Sequence, residues 1–231
     1  MNKGKMKIMI APLQGTIDRC ELLRESIVEC CRKAMAQNAD FVCFPELILN
    51  GADTQELGMR IYERAEAVSG SAHRWLAGLA KDMGLYIAAG LIQKSQVPGR
   101  LYSSYLIVCP DGQTKNVYQK RYFDDMDQLY MTGSTSKQAV TDDYTFGTAA
   151  YALGADMETK EYVDEITERK PDLILAASYG KKRDAAELAK TCGCYVAYTG
   201  NGYGAVYDPD GKRLAPQEDE DNFLYEIMSF K

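Results

Sequence analysis

The sequence predicts an α/β fold of two packed sheets between outer helices, and three observations predict it. The chain opens as strand, helix and buried strand. Short apolar runs then alternate with helical stretches, and two similar halves each carry a hairpin closed by an Asp-Gly turn.

Lys7 to Ala11 reads as the first strand. A helix follows from about Asp18 to Gln37, where Leu22, Leu23, Ile27, Val28, Cys31 and Met35 recur at helical spacing and predict the core face. Asp18 suits the N-cap, because its carboxylate can accept from an unpaired amide of the first turn, and Glu21 completes a box-like arrangement. Phe41 to Phe44 is almost wholly apolar, the pattern of a strand covered on both faces. A second helix is expected over Ser71 to Met83 and a buried strand over Tyr86 to Ile92. Leu101 to Cys109 and Gln113 to Tyr118 flank Pro110-Asp111-Gly112, a turn with a backbone reason.

A polar loop from about Arg121 to Lys137 comes next. Beyond it the pattern predicts a strand near Ala149 to Leu153, a helix from about Met157 to Glu168 and a buried strand over Leu173 to Ala177. Lys182 to Thr191 and Tyr195 to Thr199 repeat helix then strand, and Asp208-Pro209-Asp210-Gly211 closes a second hairpin between Ala205 to Tyr207 and Arg213-Leu214. With no linker or shift in composition, residues 1–231 are expected to form a single, internally pseudo-symmetric domain.

Composition narrows the function. A net charge of −6 argues against nucleic acid as a partner, since such binding draws on clustered Lys and Arg. The apolar run near the start, Ile8 to Leu13, is too short for a signal sequence, and no stretch is long enough to span a bilayer. The seven cysteines lack a spaced framework, which fits a reducing cytoplasm. A metal site is unsupported, because Cys192 and Cys194 have no facing pair and His73 is the sole histidine.

Three places could carry chemistry. Glu46 ends Phe44-Pro45-Glu46 directly after a buried strand, where open α/β sheets place ligand-contacting loops; taken alone it reads first as a solvated loop carboxylate. Lys120 leaves the strand of the first hairpin and could present a cation to a developing oxyanion, or simply guard a sheet edge. Leu153-Gly154-Ala155-Asp156 turns from strand to helix, a junction that exposes its turn residue and aims amides at whatever binds. Gly154 offers no side chain there. Cys43, Cys192 and Cys194 read as packing, and His73 as a surface helix histidine.

In this order and spacing, the Phe-Pro-Glu46 segment, Lys120 and the Gly154-x-Asp156-x-x-x-x-Glu161 segment resemble the nitrilase superfamily of carbon-nitrogen hydrolases. Leu101-Tyr102-Ser103-Ser104 and Gly193-Cys194-Tyr195-Val196-Ala197 are similar to two further family segments. The resemblance runs from Lys7 to Met228 and implies a four-layer α-β-β-α sandwich working without a cofactor. By resemblance Glu46 takes the general-base place, Lys120 the oxyanion-stabilising place and Asp127 that of a further glutamate. The nucleophilic cysteine falls on Gly154, while Ala155 and Tyr179 are the implied substrate contacts.

Other departures accompany the missing thiol. Glu158 stands where the family usually carries an arginine, and Ser178-Tyr179-Gly180 replaces a serine-tryptophan-like segment. The resemblance therefore implies a homologue that binds a small amide, nitrile or carboxylate with hydrolysis impaired or absent. Hydrolysis by water activated at Glu46 is the first alternative, and a structural or regulatory homo-oligomer without ligand the second. Relatives of this kind pair through outer helices, so a homodimer or higher homo-oligomer is expected.

Overall fold

Alternate residues of the strands face two different cores, and that alternation builds the layers. The computed structural model describes residues 5–15, 20–51, 57–125, 127–134, 136, 139–217 and 223–227. In strand β1 (Met6–Ile10), Ile8 and Ile10 point into the core between the sheets, while Met9 points to the core beneath the helices. Strand β2 (Phe41–Cys43) does the same, with Phe41 and Cys43 on one side and Val42 on the other. Burial on both faces explains why these strands read as continuous apolar runs.

Among the described residues, β1 and β2 join β3 (Tyr86–Lys94), β4 (Leu101–Val108), β5 (Thr114–Gln119) and β11 (Phe223–Ile227) in a six-stranded sheet of order β11-β1-β2-β3-β4-β5. The second sheet, of five strands, takes β6 (Thr141–Tyr144), β7 (Gly147–Leu153), β8 (Leu173–Ala177), β9 (Tyr195–Gly200) and β10 (Tyr203–Tyr207) in the order β10-β9-β8-β7-β6. Both sheets have a parallel centre and antiparallel edges. Helices α1 (Cys20–Ala36) and α3 (Ser71–Met83) cover the first sheet, with the short α2 (Ile61–Arg64) between them in sequence. Helices α4 (Lys160–Arg169) and α5 (Ala185–Cys192) belong to the second. The result is the α-β-β-α sandwich.

Several expectations shift. Helix α1 runs over Cys20–Ala36, and the expected cap at Asp18 lies outside the described residues. Its core face is rotated: Leu22 and Met35 are 55% and 46% exposed, while Leu23, Ile27, Cys30, Cys31 and Ala34 are buried. Cys30 and Ala34 are small enough to let the helix approach the sheet, which leaves the longer side chains at the flanks. The helix expected from Met157 begins at Lys160, after a 3-10 turn over Gly154–Glu158. The second hairpin is reduced to one bridge between Tyr207 and Arg213, while β10 pairs antiparallel with β9. Strands β6 and β11 are edge additions that no periodicity announced, and β11 exists by pairing antiparallel with β1.

Candidate active site

Glu46 reaches its place through an unusual backbone. Immediately after it Leu47 adopts φ 60°, ψ 6°, a left-handed conformation that costs a β-carbon-bearing residue about 1–2 kcal/mol. The segment is held down by Tyr105, whose hydroxyl donates to the Phe44 carbonyl at 2.9 Å, and by Gly90, whose amide donates to the Pro45 carbonyl at 3.1 Å. A β-carbon on Gly90 would stand 2.3 Å from the Leu47 nitrogen and 2.5 Å from the Glu46 Cα. Glycine is required there because the opposing atoms are backbone. Gly90→Ala is expected to lose about 1–3 kcal/mol in urea unfolding by pushing the Glu46 segment off the sheet; an unchanged midpoint would contradict this packing.

Lys120 follows β5 directly, and its ammonium meets Glu46. Nζ lies 3.1 Å from Glu46 Oε1 and 3.0 Å from Asp127 Oδ2, with Lys120 1% and Glu46 3% exposed. Burial alone pushes the lysine down, but Glu46 and then Asp127 outweigh it and hold the ammonium above its ordinary range. Lys120 is thus a fixed cation, and the Phe123 ring lies 5.2 Å from its nitrogen. Glu46 is restrained from other sides too. Ser103 Oγ donates to Oε1 at 2.7 Å, and the Tyr179 amide donates to Oε2 at 3.2 Å.

Gly154 opens the 3-10 turn after β7 with φ 50°. A β-carbon on it would lie 2.5 Å from Lys120 Nζ and 3.3 Å from Glu46 Oε2. The acid, the lysine and the glycine named from the sequence therefore converge, and Asp127 joins them from its own 3-10 turn, Asp127–Leu129. Tyr179 touches Glu46 through its backbone, while its hydroxyl donates to the Gly15 carbonyl at 2.8 Å. Ala155 is buried beside Gly154 and its carbonyl accepts from Thr159.

The turn is locked by Asp156. One carboxylate oxygen accepts from Tyr118 Oη at 2.7 Å and the Leu153 amide at 3.1 Å; the other accepts from the Arg121 and Tyr122 amides at 3.1 and 2.8 Å. These bonds tie the start of the Gly154 turn to the residues just after Lys120. Glu161, the other matched acid, is exposed in the first turn of α4.

The other groups weighed from the sequence sit apart from this cluster. Cys43 is fully buried three residues before Glu46, and burial pushes its thiol up; it packs between the sheets. His73 Nε2 lies 2.6 Å from Thr114 Oγ1 at the surface. Among the described residues no group of three or more His, Cys, Asp or Glu side chains could hold a metal ion, and no helix is long and apolar enough to cross a membrane.

Ser103 and Gly90 were missed as site residues by sequence reasoning. Ser103 lay in a segment singled out for its resemblance, but nothing in the sequence pairs it with an acid 57 residues away.

A carboxylate, an ammonium and a second carboxylate are thus gathered beside a backbone turn on an α-β-β-α scaffold. The chain belongs to the carbon-nitrogen hydrolase family, whose sequence profile matches residues 11–162. No curated protein matches the chain as a sequence relative. Solved structures share its fold. A cysteine-to-alanine variant of the Nesterenkonia AN1 amidase, of the nitrilase superfamily, superposes with a TM-score of 0.84 at 16% identity, covering 99% of this chain and 92% of that one. Saccharomyces cerevisiae Nit3, a member of branch 10 of the nitrilase superfamily, gives 0.83 at 16% identity over 97% and 90%. A Glu-to-Gln, Cys-to-Ala double variant of the Nesterenkonia amidase in complex with acrylamide gives 0.82 at 16% identity over 98% and 92%.

Proposed function

We propose that this chain is a nucleophile-deficient carbon-nitrogen hydrolase homologue that binds a small amide, nitrile or carboxylate at Glu46, Lys120 and Asp127 without covalent hydrolysis. One observation carries the reading: the position of a β-carbon on Gly154 is flanked by the Lys120 ammonium and the Glu46 carboxylate, yet glycine supplies no attacking atom. Covalent catalysis needs that atom, whereas recognition needs only the fixed donors and acceptors around it. The acrylamide complex of the Nesterenkonia variant supports this, since that protein holds an amide with its cysteine replaced.

The test follows acrylamide and a panel of small amides, nitriles and carboxylates by calorimetry and by ammonia release together. Saturable heat without ammonia is expected. Ammonia release that Glu46→Gln abolishes would replace the proposal with hydrolysis by water activated at Glu46. In Gly154→Cys, a non-glycine residue at positive φ is strained by about 1–2 kcal/mol and Lys120 must draw back from the new side chain. That variant is expected to gain thiol labelling and amidase turnover dependent on Glu46.

A further inference from the structure

We infer that Arg183 is a positioning residue that holds Asp127 against Lys120 by gripping Asp124. The inference rests on reading Glu46, Lys120 and Asp127 as the binding site. Arg183 lies just before α5, outside the cluster of Glu46, Lys120 and Asp127, and is 4% exposed. Its Nη2 pairs with the Asp124 carboxylate, and its Nη1 with Glu158 Oε2 at 2.8 Å. Lys181 Nζ adds a weaker contact to the same Glu158 oxygen at 3.4 Å.

These contacts close a ring around the site. The Asp124 carbonyl accepts from the Asp127 and Gln128 amides at 3.0 and 3.3 Å, so Asp124 starts the turn that carries Asp127. Asp127 holds Lys120, Lys120 holds Glu46, and Glu46 accepts from the Tyr179 amide. Tyr179 precedes Arg183 by four residues, and that loop is pinned to β9. The Arg183 amide donates to Tyr198 Oη at 2.9 Å, and the same hydroxyl lies 2.6 Å from Ser178 Oγ. Through Glu158 the guanidinium also grips the end of the turn that Gly154 opens. One buried fork thus joins the turn that carries Asp127, the turn that Gly154 opens and the loop whose Tyr179 amide meets Glu46, and planar, two-sided pairing is what arginine supplies and lysine does not. A cation buried this deeply is costly unless its acids are in place, so the Asp124 contact is held firmly and the turn with it.

Asp124 provides the gentle test, because its side chain is 47% exposed and the Asp124→Ala variant removes the grip without opening the core. The readout is the Lys120 ammonium proton signal in ¹H–¹⁵N spectra, assigned by its through-space contact with the Phe123 ring. Held by two carboxylates away from water, these protons are expected to exchange slowly in the parent chain. In Asp124→Ala and in Arg183→Met, with the backbone amide spectrum retained, exchange is expected to quicken by roughly tenfold or more. A purely structural clamp would lower the melting temperature and leave this exchange alone. Unchanged exchange in folded Asp124→Ala overturns the inference, as does a parent chain with no protected lysine signal. If Arg183→Met fails to fold, Asp124→Ala decides alone. Acrylamide titration forms a separate arm: no binding to the parent chain, with exchange responding as expected, defeats the binding proposal and leaves the positioning role standing.

Discussion

Lys120→Met is expected to destabilise the protein by about 3–5 kcal/mol, one of the two largest effects of any single substitution proposed for this chain. The lysine and Glu46 are both almost fully buried, so removing the ammonium leaves a carboxylate away from water without its counter-charge, held by Ser103 Oγ and the Tyr179 amide. Asp127, with a side chain 22% exposed, can recover some water and contributes less. The size of the effect comes from the abandoned charge rather than from the pair itself, whose attraction is largely offset by the desolvation of both partners. The double variant Lys120→Met with Glu46→Gln therefore loses less than the two single losses added together, with a coupling of about 1–3 kcal/mol. Urea unfolding of the parent, both single variants and the double variant at neutral pH measures this. A Lys120→Met protein within about 1 kcal/mol of the parent would mean that the cluster is open to water.

Asp156→Ala is expected to cost about 3–5 kcal/mol, because it leaves Tyr118 Oη and the Leu153, Arg121 and Tyr122 amides without their shared acceptor. The loss also frees the turn that Gly154 opens from the end of β5. Asp156→Asn keeps the shape and removes the titration. Its NH2 group faces two of the four donors, so the pH dependence of the difference, not its size at one pH, is the readout. Burial first of all pushes the Asp156 carboxyl up from 3.8 to about 6, against the opposing pull of its hydrogen-bond donors and Lys120. A folded-state value above the unfolded one means that the folded chain binds the proton more tightly. The resulting stability is fully present below about pH 4 and is lost as pH rises through about 6. Relative to Asp156→Asn, the parent is expected to forfeit up to about 3 kcal/mol between those limits, because holding a proton more tightly by a factor of ten is worth about 1.4 kcal/mol. A stability difference that stays flat or grows over this range would show that the donors, rather than burial, govern the carboxyl.

The site was legible as far as it rests on local pattern. Glu46 follows a buried strand, Lys120 ends a hairpin strand and Gly154 starts a turn after another strand, and each of those settings is written in a few neighbouring residues. Asp127 was found by resemblance, one methylene short of the residue it replaces. Arg183 was not found, because its partners Asp124 and Glu158 lie 59 and 25 residues away and nothing local marks any of the three as a set. The contact of Ser103 with Glu46 was invisible for the same reason. Asp156 was seen as a matched acid, but its work as the shared acceptor of four donors depends on the approach of β5 to β7 across the sandwich.

The sequence by itself determined the α/β class and the buried strands, since burial pattern and turn chemistry act over spans of a few residues; the acid, the lysine and the bare glycine were tied together by resemblance to a family. Tertiary structure alone decided the rotation of α1, the edge strands β6 and β11, and the ring that Arg183 closes around the charges. Those depend on which surfaces pack and which charges are shut away from water together, and both are settled only when distant segments meet.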